Sequence, residues 1–242
     1  MTDGKLWTSL YQQKAAEYKA LCIQAYNIAR VRLDEALKDN QGQSLAVVTD
    51  IDETVLDNSP YSVERAKQGL DYDSTAWFEW TTKAIADALP GSVSFFNYAA
   101  SRNVEVFYIT NRKEKEKQGT LQNLQRYHFP FADEKHLVLR QGSASKEQRR
   151  QNVAVNHTIV LLLGDNLADF NWLFDGNKTT DERASLVQQL AGDFGKKFII
   201  LPNANYGGWE DAVYGNNHLR IAKKDSAIIS NLKDAKAISA GY

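Results

Sequence analysis

Two pairs of aspartates come directly after apolar runs of the sequence, at positions where a buried strand would end. They are Asp50 and Asp52, and Asp165 and Asp169. Carboxylates clustered at a strand end repel one another and lose solvation, unless they share a divalent cation. Residues two apart in an extended segment point the same way, so Asp50 and Asp52 should face one site. Oxygen ligands without histidine or cysteine indicate Mg²⁺ rather than zinc.

Polar side chains that suit an oxyanion stand elsewhere in the chain. Thr110 and Asn111 follow the apolar run 104–109, and Lys146 stands where a helix should begin. The hydroxyl of Thr110 can donate to a phosphoryl oxygen, and Lys146 becomes a candidate if the site needs a positive charge. Each has an ordinary alternative, because Thr-Asn-Arg also caps helices and a lysine at a helix start is usually solvated.

The elements that must position these residues alternate along the chain. Short apolar runs predict strands, and the segments between them have helical periodicity. The predicted strands are 45–48, 104–109, 136–139, 158–163 and 198–201. The predicted helices include 5–38, 92–101 and 222–237. This alternation favours an α/β fold with a parallel sheet covered on both faces, and with ligands bound beyond the carboxyl ends of the strands.

Composition argues against several classes of protein. The 242 residues carry a net charge of −1 and no long basic stretch, so a nucleic-acid polymer is not expected as a partner. Cys22 is the single cysteine, and Ile28 stands six positions later, where a cysteine-dependent phosphatase needs an arginine. Gly195-Lys196 lacks the other residues of a nucleotide-binding P-loop.

The fuller motifs resemble one family. Residues 50–54 are similar to motif I of the haloacid-dehalogenase (HAD) superfamily, and residues 164–169 are similar to its motif IV. Extended to Tyr61, the first motif resembles the class C acid phosphatases, the lipoprotein e(P4) family of 5′-nucleotidases among the DDDD phosphohydrolases. The segments 17–26 and 201–210 are similar to the same family.

The resemblance implies a division of the chain into three parts. A HAD-like Rossmannoid core with a parallel β-sheet would comprise 43–57 and 89–242. A small, mostly helical cap would be inserted at 58–88, and an N-terminal helical segment at 1–42 would pack with it.

The resemblance also implies a reaction: the Mg²⁺-dependent hydrolysis of phosphomonoesters through an aspartyl-phosphate. Asp50 would be the nucleophile, and Asp52 the general acid and then the base. An acidic pH optimum is predicted, because neighbouring carboxylates should raise the pKa of Asp52. The metal would be held by Asp50, Asp165 and the backbone carbonyl of Asp52, and Asp169 would support its water ligands or contact it directly. The phosphoryl group would be bound by Thr110, Asn111 and Lys146.

The substrate class also follows from the resemblance, which implies nucleoside 5′-monophosphates and nicotinamide mononucleotide. Four aromatic residues could form a slot for a base, and stacking there is worth about 1–3 kcal/mol per base. They are Tyr61, Trp77, Trp80 and Tyr206. The alternative is that these rings only bury the insertion against the core.

Two other functions stay open. A phosphotransferase or phosphomutase would pass the phosphoryl group to a hydroxyl instead of water, and a surface lipoprotein would use the fold only for binding. The expected partner is a small phosphomonoester, and a homodimer is left open. The resemblance implies the bacterial cell envelope, as an outer-membrane lipoprotein or a periplasmic protein, with membrane attachment only through a lipid anchor not contained in this sequence.

Overall fold

A five-stranded parallel sheet forms the centre of the molecule, in a computed structural model that describes residues 2–217, 219 and 221–234. The strands are β1 (Leu45–Thr49), β2 (Leu56–Asp57), β3 (Asp87–Ala88), β4 (Glu105–Lys113), β5 (Leu137–Arg140), β6 (Thr158–Gly164) and β7 (Phe198–Ile200). The order in the main sheet is β5-β4-β1-β6-β7, and every neighbouring pair runs parallel. The predicted α/β fold with a parallel sheet is confirmed.

Alternate residues of the central strand β1 belong to two separate apolar cores. Leu45 and Val47 pack into the larger core, and Ala46 and Val48 pack into the smaller one. This is the period of two that an extended strand imposes, and all five residues of β1 are buried. The continuous apolar run therefore reports a sheet with both faces covered.

Ten α-helices are found among the described residues. They are α1 (Thr2–Lys14), α2 (Ala16–Asp39), α3 (Ser59–Lys67), α4 (Ser74–Thr82), α5 (Ser92–Ser101), α6 (Lys117–Arg126), α7 (Glu147–Ala154), α8 (Thr180–Gln189), α9 (Gly208–Val213) and α10 (Ile221–Asn231). None of them is long and apolar enough to cross a membrane.

Two helix predictions need correction. The single helix predicted at 5–38 is two helices, because Ala15 has an extended backbone with ψ 128° between α1 and α2. The break lets α1 pack against α3 of the insertion, while α2 packs on α5 and the sheet. The predicted helix 222–237 begins as α10 but ends at Asn231, and its last residues, 235–237, lie outside the described residues.

The insertion after β1 is closed at its base by a short antiparallel ribbon. β2 pairs with β3, so the segment between them leaves and returns at one place. Inside it, the Asp73 carboxylate caps α4 by accepting from the amides of Thr75 and Ala76 at 3.0 and 2.9 Å. Tyr61 packs edge-to-face on Trp77, with ring centroids 5.0 Å apart. Two helices with their own small aromatic cluster are thus placed above the end of β1.

Candidate active site

Three of the four predicted aspartates meet at the carboxyl end of the sheet. Asp50 follows β1 directly and Asp165 follows β6, the strand hydrogen-bonded to β1. Asp169 comes one short turn later. One carboxylate oxygen from each of Asp50, Asp165 and Asp169 lies within 4.8 Å of the others. Adjacent parallel strands end side by side, which brings together residues more than 100 positions apart.

Gly164 makes the close return of Asp169 possible. A Cβ on this last residue of β6 would stand 2.4 Å from both the Cβ and Oδ2 atoms of Asp169, which no real contact allows. The Oδ2 atom instead accepts a hydrogen bond from the amide of Asn166 at 3.0 Å. Glycine at 164 is therefore a steric requirement of the acidic cluster.

Lys146 is buried between two of these carboxylates. It stands directly before α7, is 5% exposed, and contacts Asp50, with its Nζ 2.7 Å from Oδ1 of Asp169. Burial alone would lower the pKa of the lysine, but Asp169 and Asp50 outweigh it and the pKa is raised. The ordinary alternative, a solvated lysine at a helix start, does not describe this residue.

The acidic cluster carries more negative charge than one lysine balances. Burial, with repulsion from Asp169 and Asp52, raises the pKa of Asp50 to about 7 although Lys146 opposes the shift. Burial and the charges of Asp169 and Asp50 also raise the pKa of Asp165 well above its ordinary value. Close, partly desolvated carboxylate oxygens of this kind fit a hard divalent cation.

The side chain of Asp52 points to a different partner. Its Oδ1 accepts from Nη2 of Arg112 at 2.8 Å and from Nε at 3.1 Å. The prediction from sequence placed only carboxylates around Asp52, and it was incomplete because it passed over this arginine. Arg112 stands two residues after Thr110 in β4, so the period of two along the strand was the available signal.

Asn58 joins Asp52 to the insertion. Its Nδ2 donates to Oδ1 of Asp52 at 2.9 Å, and its Oδ1 accepts from the indole Nε1 of Trp80 at 2.8 Å. The indole donor thereby fixes which end of the amide faces the carboxylate. Sequence reasoning missed this role as well, although Asn58 lies within the motif that carries the family resemblance.

Glu53 and Tyr206 form a second contact beside the site. Glu53 has a left-handed backbone with φ 55°, is 1% exposed, and accepts from the amide of Asn58 at 2.7 Å. The hydroxyl of Tyr206 donates to its Oε2. Burial, with the charge of Asp52, raises the pKa of Glu53 to about 8.

The HAD superfamily, subfamily IIIB (acid phosphatase), matches residues 5–209 of the sequence. The chain belongs to this family. Membership places this acid phosphatase among the phosphoric monoester hydrolases, and it confirms the family prediction made from the two aspartate motifs.

Solved structures of class C acid phosphatases match this chain over nearly its whole length. It is similar to a class C acid phosphatase from Bacillus anthracis, with 43% identity and a TM-score of 0.91, covering 96% of this chain and 98% of that one. It is equally similar to that organism's class C acid phosphatase with tungstate bound, with 42% identity and a TM-score of 0.91, covering 97% and 98%.

Plant proteins are more distant relatives. Acid phosphatase 1 of Solanum lycopersicum is 31% identical over 94 residues, which cover 38% of this chain and 36% of that protein. The stem 28 kDa glycoprotein of Glycine max is 27% identical over 167 residues, covering 65% and 62%. The acid phosphatase thus spans between a third and two thirds of the length of these relatives.

The predicted phosphate-binding residues of β4 differ in exposure. Thr110 is fully buried, and its Oγ1 accepts from the amide of Arg112 at 3.1 Å. Asn111 is exposed, and its Oδ1 accepts from Nη2 of Arg149 at 2.8 Å. Arg149 also donates to the carbonyl of Thr110 at 2.6 Å, which ties this strand end to α7. Sequence reasoning had not assigned Arg149.

The four aromatic residues predicted for substrate binding separate into two pairs. Tyr61 and Trp80 are 6% and 8% exposed, and their polar atoms bond to Asp73 and Asn58. They pack the insertion in the way that the alternative interpretation described. Trp77 and Tyr206 are only partly buried. These two rings are the members of the set that keep surface for a ligand.

Proposed function

We propose that this acid phosphatase hydrolyses phosphomonoesters with Mg²⁺ through a phosphorylated Asp50, and that nucleoside 5′-monophosphates and related nucleotides such as nicotinamide mononucleotide are its substrates. One observation carries the proposal: Asp50, Asp165 and Asp169 bring carboxylate oxygens within 4.8 Å of one another beside the buried Lys146. A nucleophile for phosphorus, a metal ligand set and a fixed cation are then in one place.

The first step forms the bond from an Asp50 carboxylate oxygen to phosphorus and breaks the ester P–O bond. The departing alkoxide needs a proton, which the Asp52 carboxyl group supplies as general acid. Asp50 must be ionised to attack, and the adjacent ammonium of Lys146 favours that form. A cation held by Asp50, Asp165 and Asp169, with the Asp52 carbonyl, would reduce the repulsion between nucleophile and phosphate.

The second step returns the enzyme to its starting state. Water attacks the phosphorus of phosphorylated Asp50, Asp52 takes the proton from that water, and inorganic phosphate leaves as the Asp50–phosphorus bond breaks. Arg112 and Asn58 hold Asp52 from two sides, so the same carboxyl group stays in reach for both proton transfers. We assign them a positioning role.

The phosphoryl group is expected to contact Lys146 and Thr110 at the end of the sheet. Tungstate is a tetrahedral oxyanion like phosphate, and the class C acid phosphatase of Bacillus anthracis binds it in one solved structure. The partly exposed rings of Trp77 and Tyr206 support a site for a flat base. Stacking on such rings is worth about 1–3 kcal/mol and does not depend on which base is bound.

Phosphate release from a panel of nucleotides and sugar phosphates tests the reaction. Wild type and Asp50→Asn are compared, each with Mg²⁺ and after chelation, and acid quenching traps phosphate bound to protein. We expect wild type with Mg²⁺ alone to release phosphate and to form the trapped species. Turnover by Asp50→Asn would contradict the nucleophile, and turnover after chelation would contradict the metal.

The same assay separates hydrolysis from phosphotransfer. An added alcohol competes with water for phosphorylated Asp50, so the ratio of transferred to released phosphate measures the preference. We expect free phosphate to dominate when no alcohol is added. Transfer to substrate hydroxyls without phosphate release would favour the phosphotransferase alternative instead.

Tyr206 tests the base-binding slot. Tyr206→Ala removes the ring, whereas Tyr206→Phe removes only the hydroxyl that donates to Glu53. We expect Tyr206→Ala to raise KM for a nucleotide about tenfold, in line with the stacking energy, and to change KM for a small aryl phosphate much less. Equal effects of Tyr206→Ala on both substrates would contradict the slot.

A location in the bacterial cell envelope, a lipid anchor and a homodimer stay proposals that rest on the family resemblance. Fractionation of the natural host and the mass of the protein in solution test them. Recovery from the cytoplasm would contradict the location, and a monomeric mass would contradict the dimer.

A further inference from the structure

A cavity of about 770 Å³ lies between α2, the edge strand β7, α8 and α9. Apolar side chains form most of its wall: Leu21, Ile28, Val187, Leu201, Trp209 and Val213. Small-molecule sites commonly occupy about 300–1,000 Å³ and are lined mainly by such residues. One end of the cavity reaches Asp165 and Asn203, but the rest extends away from the acidic cluster.

Arg183 lines this apolar cavity with a cation. It is the buried residue of α8, at 9% exposure. Its guanidinium lies against the start of α9, where a Cβ on Gly208 would be 2.7 Å from Nη1. The side chain is thus held in place by backbone packing.

The guanidinium has no acceptor among the described residues, since none of them takes a hydrogen bond from it or forms an ion pair within 4.0 Å. The charge of Asp211 acts on it from a greater distance, but burial dominates and lowers the pKa of Arg183. Other buried arginines differ: Arg112 is paired with Asp52, and Arg150 with Glu147. A mostly buried guanidinium in the wall of an apolar cavity, paired with no described residue, offers its donors to whatever occupies that cavity.

We propose that this cavity binds an amphipathic anion, with the apolar body among the aliphatic and indole side chains and a single oxyanion head against Arg183. A planar guanidinium offers paired donors that match a carboxylate, sulfate or phosphate. The mainly apolar wall disfavours a sugar or a nucleotide, which would leave most of its polar groups unpaired. The occupant is a free monomeric amphiphile, and the site does not depend on the proposed phosphatase chemistry.

Calorimetric titration with decanoate, decyl sulfate and decanol tests the proposal, because the three probes share a chain and differ in the head group. All titrations stay below the micelle concentration. We expect wild type to bind at least one of the two anions at least about tenfold more tightly than decanol, which is the usual advantage of a charge-assisted hydrogen bond. The stronger of the two anions then identifies the preferred head group.

Variants of the cavity separate the contribution of the anionic head group to binding from that of the apolar chain. Arg183→Gln should weaken anion binding at least about tenfold and leave decanol unchanged, since only the charge is lost. Val187→Trp should weaken all three by filling the cavity. Arg102→Gln, which removes an exposed arginine on another face, is the matched control and should change nothing. Anion binding that is equal in wild type and Arg183→Gln would overturn the proposal.

Thermal unfolding of the ligand-free protein gives a second readout. Arg183→Met should raise the melting temperature, because it removes a largely desolvated charge that no described residue pairs. A lower melting temperature would show that the guanidinium is satisfied within the fold, and would overturn the proposal. So would a dimer of wild type that Val187→Trp dissociates, with no anion bound, because a second copy would then be the occupant.

Discussion

Carboxyl groups at the two ends of the central sheet have pKa values that are shifted in opposite directions. At the carboxyl end, Asp50, Asp165 and Asp169 face one another with Lys146 as the nearest cation, and the pKa of Asp50 rises to about 7 through burial and repulsion. At the amino end, Glu105 begins β4 and is surrounded by cationic or hydrogen-bonding groups. There, hydrogen bonds led by the one from His136 lower the pKa of Glu105 to about 2.

The contacts at the amino end are short and mutual. Nε2 of His136 lies 2.9 Å from Oε2 of Glu105, and Nζ of Lys135 lies 3.0 Å from the same oxygen. Nε2 of His157 lies 3.3 Å from Oε1. The other nitrogen of His136 bonds to Asp133 at 2.7 Å, and the ring of Phe107 packs against both histidines.

The difference shows what each end does for the protein. Groups that satisfy one another lower the free energy of the folded state, and Glu105 is such a group. Groups held together against their repulsion raise that free energy, and they persist where binding or chemistry uses them. The acidic cluster is therefore expected to matter for activity and to be costly without a cation, and the Glu105 cluster to matter for stability alone.

The largest expected effect is on catalysis at one end only. Asp50→Asn should lower phosphate release at least about a thousandfold, because the nucleophile is lost. Glu105→Gln should keep kcat/KM within a few fold of wild type at a temperature where both are folded. A comparable loss of activity in Glu105→Gln would break the division of roles between the two ends.

A smaller loss is expected from Arg112→Lys. The charge is kept, but the paired donors to Asp52 are replaced by a point charge, so the general acid is less well placed. We expect kcat to fall about 10- to 100-fold, the usual range for impaired proton transfer, while KM changes little. The exposed Arg126→Lys is the control. A rise in KM with unchanged kcat would mean that Arg112 binds substrate instead of positioning Asp52.

Glu105→Gln should lower the free energy of unfolding by about 1–2 kcal/mol at pH 6, the range for partly exposed charged hydrogen bonds. A carboxylate with a lowered pKa stabilises the fold above its unfolded pKa and loses that effect as pH falls towards its folded pKa. The deficit of the variant should therefore shrink below pH 4.5, towards about 2. Urea unfolding at several pH values measures it, with the exposed Glu134→Gln as control. A deficit independent of pH would contradict the assignment.

The smallest expected effect is a gain in stability when a carboxylate is removed from the acidic cluster. Because the pKa of Asp165 is raised, its ionised form destabilises the metal-free fold, and stability falls as pH rises through the shifted range. Asp165→Asn should raise the melting temperature of the chelated protein at pH 8 by about 2–4 °C, corresponding to about 1 kcal/mol. It should also remove most of the stabilisation that Mg²⁺ confers on wild type. A lower melting temperature of the chelated variant would remove the contrast between the two ends.

Sequence patterns predicted the main sheet closely, because strand burial leaves a local signal. Each of the five predicted runs contains or overlaps an observed strand, and the aspartates follow the central strand β1 and its neighbour β6. The break at Ala15 left no such signal. The helical period continues through it, and only the separate packing of α1 on the insertion and α2 on the sheet requires the extended residue.

The aromatic residues show the same limit. The sequence gives no reason to separate the four aromatic residues predicted to bind a base. In the structure, Tyr61 and Trp80 are buried, whereas Trp77 and Tyr206 are partly exposed. The indole of Trp80 donates to Asn58, which the spacing of 22 residues between them could not reveal.

Which chemical groups stand at the strand ends follows from the order of amino acids alone, since these groups are covalent neighbours of runs that must be buried. Which of these groups form ion pairs depends instead on how the helices and the sheet pack against one another. Lys146 lies between Asp50 and Asp169, Arg112 lies against Asp52, and Arg183 is left without an acceptor among the described residues. Desolvation and Coulomb energy depend on distances between segments far apart in the chain, and those distances exist only in the folded molecule.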